Sequence, residues 1–349
     1  MKTTLLAILC AFRLALPGYE FEFPRDHGAH DEYRTEWWYY TGHLQTSEGK
    51  RFGYELTFFR VGVTDPAEAA GSKWDLRNLA LAHFAVTDVD GKKFRYYEKL
   101  NRASPFTANA ATGYLHVFNE GWSAITNADG SWRIVAASGS DSLDLTLRTA
   151  KAPAIHGENG VSVKAQGTGF ASHYYSMTSL DASGTLNGAR VTGESWMDHE
   201  FGSSALRESQ QGWDWFSIQL DNDTELMIYL IRRGNGSADV TSSGSLIASD
   251  GRVIHLTREQ LRVTPRARWK SPRSGATYPM GWRVDVPAFG VSVNVEPLLR
   301  DQELVTKAST QVTYWEGACD VDGSFGGVAV RGKAYVEMTG YDHAFKAPQ

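Results

Sequence analysis

Trp37-Trp38-Tyr39-Tyr40-Thr41-Gly42-His43-Leu44 is echoed later in the chain by Trp213-Asp214-Trp215-Phe216-Ser217-Ile218-Gln219-Leu220. In both stretches the Leu falls seven positions after the first Trp. Each is followed by a polar turn and an apolar run headed by Glu: Glu55-Leu56-Thr57-Phe58-Phe59-Arg60, then Glu225-Leu226-Met227-Ile228-Tyr229-Leu230. A second echo closes each half. Val191-x-Gly193-x-x-Trp196-Met197-Asp198 matches Val330-x-Gly332-x-x-Tyr335-Val336-Glu337. An opening hairpin and a closing strand, repeated in order, predict two copies of one β domain. A pocket can then lie inside a copy or between copies.

The rest of the chain agrees with a β fold. Helical periodicity is nearly absent, and alternating apolar runs are separated by Gly, Asn, Asp and Ser. Asp90-Gly91, Asn127 to Ser131 and Ser249-Asp250-Gly251 read as hairpin turns. Ser142 to Arg148 and Gly290 to Glu296 alternate as strands with one wet face. Asp65 to Gly71 and Asn101 to Thr112 read as irregular loops, the second with room for a short helix. A short polar stretch near Gly202 to Gly212 separates the halves. The expected architecture is all-β, two barrels or curled sheets, with domains at 18–205 and 206–349. A barrel of about eight strands encloses space for one small ligand.

At 349 residues the chain suits two domains, and 42% hydrophobic residues supply sizeable cores. A net charge of −5 gives no footprint for nucleic acid. Residues 1–17, Met1-Lys2-Thr3-Thr4 and then an apolar stretch broken by Arg13, read as a signal peptide. The mature chain is then expected to begin near Gly18 and to be periplasmic or secreted. No run is long enough for a transmembrane anchor. Past Cys10 only Cys319 remains, so no internal disulfide is available.

Two segments hold candidate chemistry. Phe23 to His30 contains His27-x-x-His30, a metal pair only if helical; Pro24 and Gly28 argue for a loop with local hydrogen bonds. No metal or other cofactor is expected. Trp196-Met197-Asp198-His199-Glu200-Phe201-Gly202 is the stronger candidate. In a strand Asp198 and Glu200 share one face and His199 takes the other. Two carboxylates on one face repel, which raises one pKa toward that of a general acid. The matching Glu337-Met338-Thr339-Gly340 lacks the His. Trp213 and Trp215 share a strand face and read equally as core or ligand wall. Tyr314-Trp315-Glu316-Gly317 is a further aromatic–acid cluster. The chain has no Gly-x-Ser-x-Gly, so serine-hydrolase chemistry has no support.

Asp26-His27-Gly28-Ala29-His30, Arg34 to Tyr39, Tyr54 to Arg60, Glu194 to Gly202 and Tyr314 to Gly317 resemble the AttH and carotenoid 1,2-hydratase (hydroxyneurosporene synthase) superfamily, over nearly the whole mature chain. The resemblance implies two packed lipocalin-like domains, often behind a signal sequence. Its members include carotenoid hydratases, a fungal kievitone hydratase and decalin-forming cyclases, with many bacterial members described only as secreted hydrolases. It also implies an acid–base role for His199. The hydratase pattern His-x-Trp reads His199-Glu200-Phe201 here, and its Tyr-x-Asp falls on Tyr229-Leu230-Ile231. These departures set the chain nearer the secreted AttH branch.

The expectation is an exported protein that binds a small hydrophobic molecule of extended apolar shape, such as an isoprenoid, lipid or polyketide, and adds water to, or cyclises, an alkene. Asp198, His199 and Glu200 are the expected catalytic residues. Trp37, Trp38, Tyr40, Glu55, Trp196, Trp213, Trp215, Tyr229, Tyr314 and Trp315 are the expected ligand wall. A non-catalytic carrier and a secreted hydrolase are the rivals. Catalytic residues and wall are expected to meet at a cavity at the domain junction.

Overall fold

The computed structural model describes residues 12–64, 76–204 and 206–346. The first part of the predicted signal peptide and the predicted loop at 65–71 lie outside the described residues. Among the described residues there is no α-helix, only three short 3-10 turns. The helix entertained within Asn101 to Thr112 does not form. The Ser104 hydroxyl accepts hydrogen bonds from the Phe106 and Thr107 amides, which closes a turn instead, and a short strand follows at Ala108–Ala110.

Two antiparallel sheets carry the chain. The first runs from Lys93–Arg102 through Asn78–Asp88, Arg51–Gly62, Thr35–Gln45, Ala189–Gly202 and Ala171–Leu186 to Asp141–Thr149, and then through four shorter strands. It curls into a nearly closed barrel. The second runs from Val253–Thr257 through Ser243–Ile247, Thr224–Arg233, Gln210–Leu220, Val328–Thr339 and Thr313–Phe325 to three further strands, and forms a half-barrel. These are two tandem lipocalin-like domains.

The repeat holds at the level of register. Leu44 lies opposite Gly193, and Leu220 lies opposite Gly332. Both glycines are required by the same close approach. A Cβ on Gly193 would sit 1.9 Å from the His43 carbonyl oxygen, and one on Gly332 2.1 Å from that of Gln219. The Glu-headed echo is a different matter. Glu55 faces Thr41, whereas Glu225 faces Gln219, because the second hairpin has the shorter turn. Met227, opposite Ser217, takes the place of Glu55.

Strand alternation sends successive side chains to opposite faces. Trp38, Tyr40, Leu56, Phe58 and Met197 fill the first barrel with Trp122 and Trp132. Phe216, Ile218, Trp282 and Trp315 fill the second. The expected ligand space inside a barrel is therefore occupied by side chains. The outward faces of the central strands meet each other instead, through Tyr39, Tyr174, Trp196, Trp215, Met227, Tyr229 and Tyr335. Polar ties cross the same seam: His43 Nε2 donates to the Ala334 carbonyl at 2.9 Å, and Thr87 donates to Gln302 at 2.8 Å. At the N-terminal side, Ala15 is buried with Tyr33, Val161, Ala171 and Phe201, and the Arg13 amide donates to the Glu32 carbonyl at 2.8 Å.

Candidate functional site

A cavity of about 170 Å³ lies between the two sheets. Its position follows from parity. Trp37 and Tyr39 alternate with Trp38 and Tyr40, so they leave the barrel and face the seam. Across the ladder Tyr39 is paired with Asp198 and Trp37 with Glu200, and these carboxylates face the seam too. Glu55, Phe59 and Tyr174 join them from flanking strands, and Trp213, Trp215, Tyr229, Tyr314, Glu316 and Glu337 from the second sheet.

Four carboxyl groups on this wall, Glu55, Asp198 and Glu316 buried and Glu337 half-buried, are pushed toward the neutral form. Burial raises Glu55 and Asp198 to about 7 and Glu337 to about 8, and it raises Glu316 well above the carboxylate range. Repulsion from neighbouring carboxyls adds to the rise, from Glu337 and Glu55 at Glu316 and from Glu55, Asp198 and Glu200 at Glu337.

Their hydrogen bonds differ. Asp198 receives the Tyr174 hydroxyl at 2.6 Å, the Trp196 indole N–H at 2.6 Å and the Ser176 hydroxyl. Trp215 of the second sheet in turn donates to the Tyr174 oxygen at 3.0 Å. Glu55 receives Thr57 at 2.6 Å on Oε1, with Tyr314 at 3.5 Å, and its buried Oε2 has no partner. Tyr39 donates to Glu316 Oε1 at 2.6 Å, and Glu316 Oε2 is likewise unpartnered. Glu200 differs from all four. Lys164 Nζ lies 2.9 Å from its Oε1 and 3.9 Å from the Tyr229 ring centroid, and Ser172 donates to the same oxygen.

His199 turns the other way, as alternation requires. Its ring stacks on Trp38, with centroids 4.8 Å apart. Its Nε2 lies 2.9 Å from Glu36 Oε1, and its Nδ1 3.0 Å from the Asp26 carbonyl oxygen. Glu36 also binds His30 Nδ1 at 2.8 Å and Arg60 Nε at 2.9 Å. Burial opposes the charge on Glu36, but Arg60 and the two imidazoles outweigh it and hold the carboxyl well below its ordinary range. Burial likewise opposes charge on His30, yet Asp26 and Glu36 bring it up to about 9.

The ligand atoms of His30, Glu36 and His199 lie within 4.8 Å of one another. Both imidazole nitrogens that face Glu36 are used in hydrogen bonds to it, and the Arg60 guanidinium already supplies the cation. As they stand, these groups are joined as a buried hydrogen-bond network. Of the His-x-x-His pair, His30 bonds locally to Asp26 and Glu36, and His27 bonds to the Tyr175 hydroxyl at 2.7 Å.

The expected residues thus divide. Asp198, Glu200, Trp37, Glu55, Trp213, Trp215, Tyr229 and Tyr314 line the cavity. Trp38 and Tyr40 belong to the first core and Trp315 to the second, each on the inward parity of its strand. Trp196 stands behind Asp198 as a hydrogen-bond donor. His199 is separated from both carboxylates by the thickness of the sheet. Tyr39, Glu316 and Glu337, present in the quoted motifs but not among the expected site residues, line the cavity too, as strand parity from Trp37 and Tyr314 and the pairing of Trp215 with Glu337 require. Tyr174, His83, Lys164 and Phe345 carry no comparable signal.

Comparison with known proteins agrees with this architecture. The AttH-like family model matches residues 14–341. The crystal structure of an AttH protein from Nitrosomonas europaea superposes with a TM-score of 0.84 at 34% identity, covering 94% of this chain and 99% of that one. Kievitone hydratase from Nectria haematococca shares the fold at 15% identity, with a TM-score of 0.71 over 96% of this chain and 95% of that one. In sequence, kievitone hydratase of Fusarium solani subsp. phaseoli is 27% identical over 152 residues, which span 41% of this chain and 39% of that relative. By the extent of the family match, the chain belongs to the AttH-like family.

Proposed function

We propose that the protein binds a small apolar molecule in the cavity between its sheets and catalyses acid–base addition to, or cyclisation of, an alkene. The observation that carries this reading is the set of four neutral-leaning carboxyls on one aromatic-walled cavity. A carboxylic acid that keeps its proton near pH 7 is a proton donor, and such groups cluster where chemistry needs them. The kinship with a hydratase fold supports the same class.

The hydrogen bonds assign the roles. Glu55, with Oε2 free, gives its proton to the alkene carbon. The resulting cation faces aromatic rings, an interaction of about 0.5–2 kcal/mol per ring. Asp198, held by three donors, is built to carry negative charge and takes the proton released by the adding water. Glu200 is committed to Lys164, and His199 acts at most through the strand. A cavity of about 150 Å³ holds a benzene ring, so the 170 Å³ here suits one ring or a short branched chain. A longer ligand has to extend through the mouth.

Native mass spectrometry of the purified protein should identify a co-purifying apolar ligand, which then serves as substrate. Glu55→Gln and Asp198→Asn should each bind it and fail to convert it. Full turnover in both variants would sink the proposal. Binding without turnover in the wild type would leave a carrier.

We also propose export to the periplasm or medium. The packing of Ala15 favours removal of a leader ahead of Phe12 rather than near Gly18. Cytosolic protein retaining Met1 would count against it.

A further inference from the structure

Glu55 sits at one end of a continuous line of hydrogen-bonding groups that leaves the cavity. The Tyr314 hydroxyl lies 3.5 Å from Glu55 Oε1 and 2.6 Å from His83 Nδ1. His83 Nε2 lies 2.9 Å from the Ser309 oxygen, and the Ser309 hydroxyl donates to Glu98 Oε2 at 2.6 Å. Glu55, Tyr314, His83 and Ser309 are all buried, and Glu98 is half-buried at the surface end. The line is anchored by register. Thr57, two residues past Glu55, pairs with His83, and His83 pairs with Glu98, so one face of three neighbouring strands carries all three groups. Tyr314 and Ser309 come from the second domain and fill the gaps. Every inner member can both give and accept a proton.

We propose that Glu98, Ser309, His83 and Tyr314 form a relay that returns a proton from solvent to Glu55. The proposal rests on Glu55 as the acid for its purpose, but its operation needs no substrate. The transfer balances. Once Glu55 is a carboxylate, the Tyr314 phenol proton passes to it. The Nδ1 proton of His83 replaces that one, the Ser309 hydroxyl turns from Glu98 and gives its proton to His83 Nε2, and a proton that water delivers to Glu98 moves on to the Ser309 oxygen. Glu98 ends ionised and takes its next proton from water. Tyr314 and Ser309 end neutral, and His83 ends neutral as the other tautomer, which a turn of the ring and of the two hydroxyls resets before the next passage. Burial holds His83 down to about 3, so the imidazole passes the proton on without storing it. The domain junction is thereby part of the route, since neither domain alone completes it.

An infrared experiment on the unliganded protein tests this. The C=O band of the protonated Glu55 carboxyl, identified by its loss in Glu55→Gln at pH 6, shifts on exchange into D2O. After rapid mixing, Tyr314→Phe and Ser309→Ala should slow that shift at least roughly tenfold, the effect of about 1.4 kcal/mol on a barrier. Ser309→Thr, which keeps a hydroxyl, should restore the rate. Tyr278→Phe, inside the second barrel, should leave it unchanged. Equal rates in wild type, Tyr314→Phe and Ser309→Ala would overturn the relay, because protons would then reach Glu55 through the cavity mouth. Absence of any band lost in Glu55→Gln would overturn it as well. Should Tyr314→Phe fail to fold, Ser309→Ala alone decides. Slowed exchange together with full turnover in Glu55→Gln would uphold the relay and remove only the acid role of Glu55.

Discussion

On one face of the strand Ala189–Gly202, Asp198 joins the buried Glu55 and Glu316 and the half-buried Glu337, which have hydroxyl and indole partners but no paired cation among the described residues. On the opposite face, one residue on, His199 joins Glu36, His30 and Arg60, where the buried carboxylate is matched by a guanidinium and two imidazoles. The same burial acts on both groups. With a cation in place the carboxyl stays ionised and the cluster holds structure together. Without one the carboxyl is pushed toward its neutral form and can give or take a proton near neutral pH.

The largest test of this contrast removes the matched carboxylate. Glu36→Gln takes from the buried Arg60 its close carboxylate partner and leaves it two backbone carbonyls, with Asp31 3.7 Å away, which costs about 3 kcal/mol. Chemical denaturation should show that loss, and a change under 1 kcal/mol would mean the network is not the strut described here. The unmatched side should answer in the opposite way. Glu55→Gln should keep or gain stability while turnover falls at least ~100-fold, the scale of a general acid. Copying the second domain into the first is milder. His199→Met installs the residue of the equivalent Met338 and deletes one charged hydrogen bond to Glu36, a loss of about 1.5–3 kcal/mol.

The smallest effect is the pH dependence. Glu337 has a folded pKa of about 8 against an ordinary 4.5. Between those values the folded state keeps a proton that the unfolded chain releases. Stability therefore falls as pH rises through this window, and Glu55 and Asp198 act alike up to about 7. Glu337→Gln should flatten that slope and gain stability at pH 8, with little change at pH 4.5. Glu36 has the opposite sign: its folded pKa is depressed, so its share of stability is lost as pH drops below 4.5. Parallel stability–pH curves for wild type and Glu337→Gln would refute the pairing of faces with slopes.

The duplication was legible because it rests on backbone necessity. Gly193 and Gly332 allow the same close approach, and the Trp–Leu spacing sets the same register. Strand parity was legible too, and it separated His199 from Asp198 before any coordinates. What parity does not say is which face turns inward. Trp37 and Trp38 were therefore both expected in the wall, and only Trp37 is there. Lys164 comes from the loop leading into a strand, and Phe345 from the C-terminal segment, where no periodicity marks a destination. The Glu55–Glu225 echo misled for a local reason: one turn is shorter than the other, and similar runs slid out of register.

Because both barrels are filled, the cavity wall is made of residues that neither core depends on for its own packing. Phe59, Tyr229 and Phe345 can change size or polarity without opening a void behind Trp38 or Trp282. A lineage built on this plan is free to try new ligands at little risk to folding, since recognition and stability are written on opposite sides of the same strands. That separation offers a physical basis for the architecture to persist down to 15% identity.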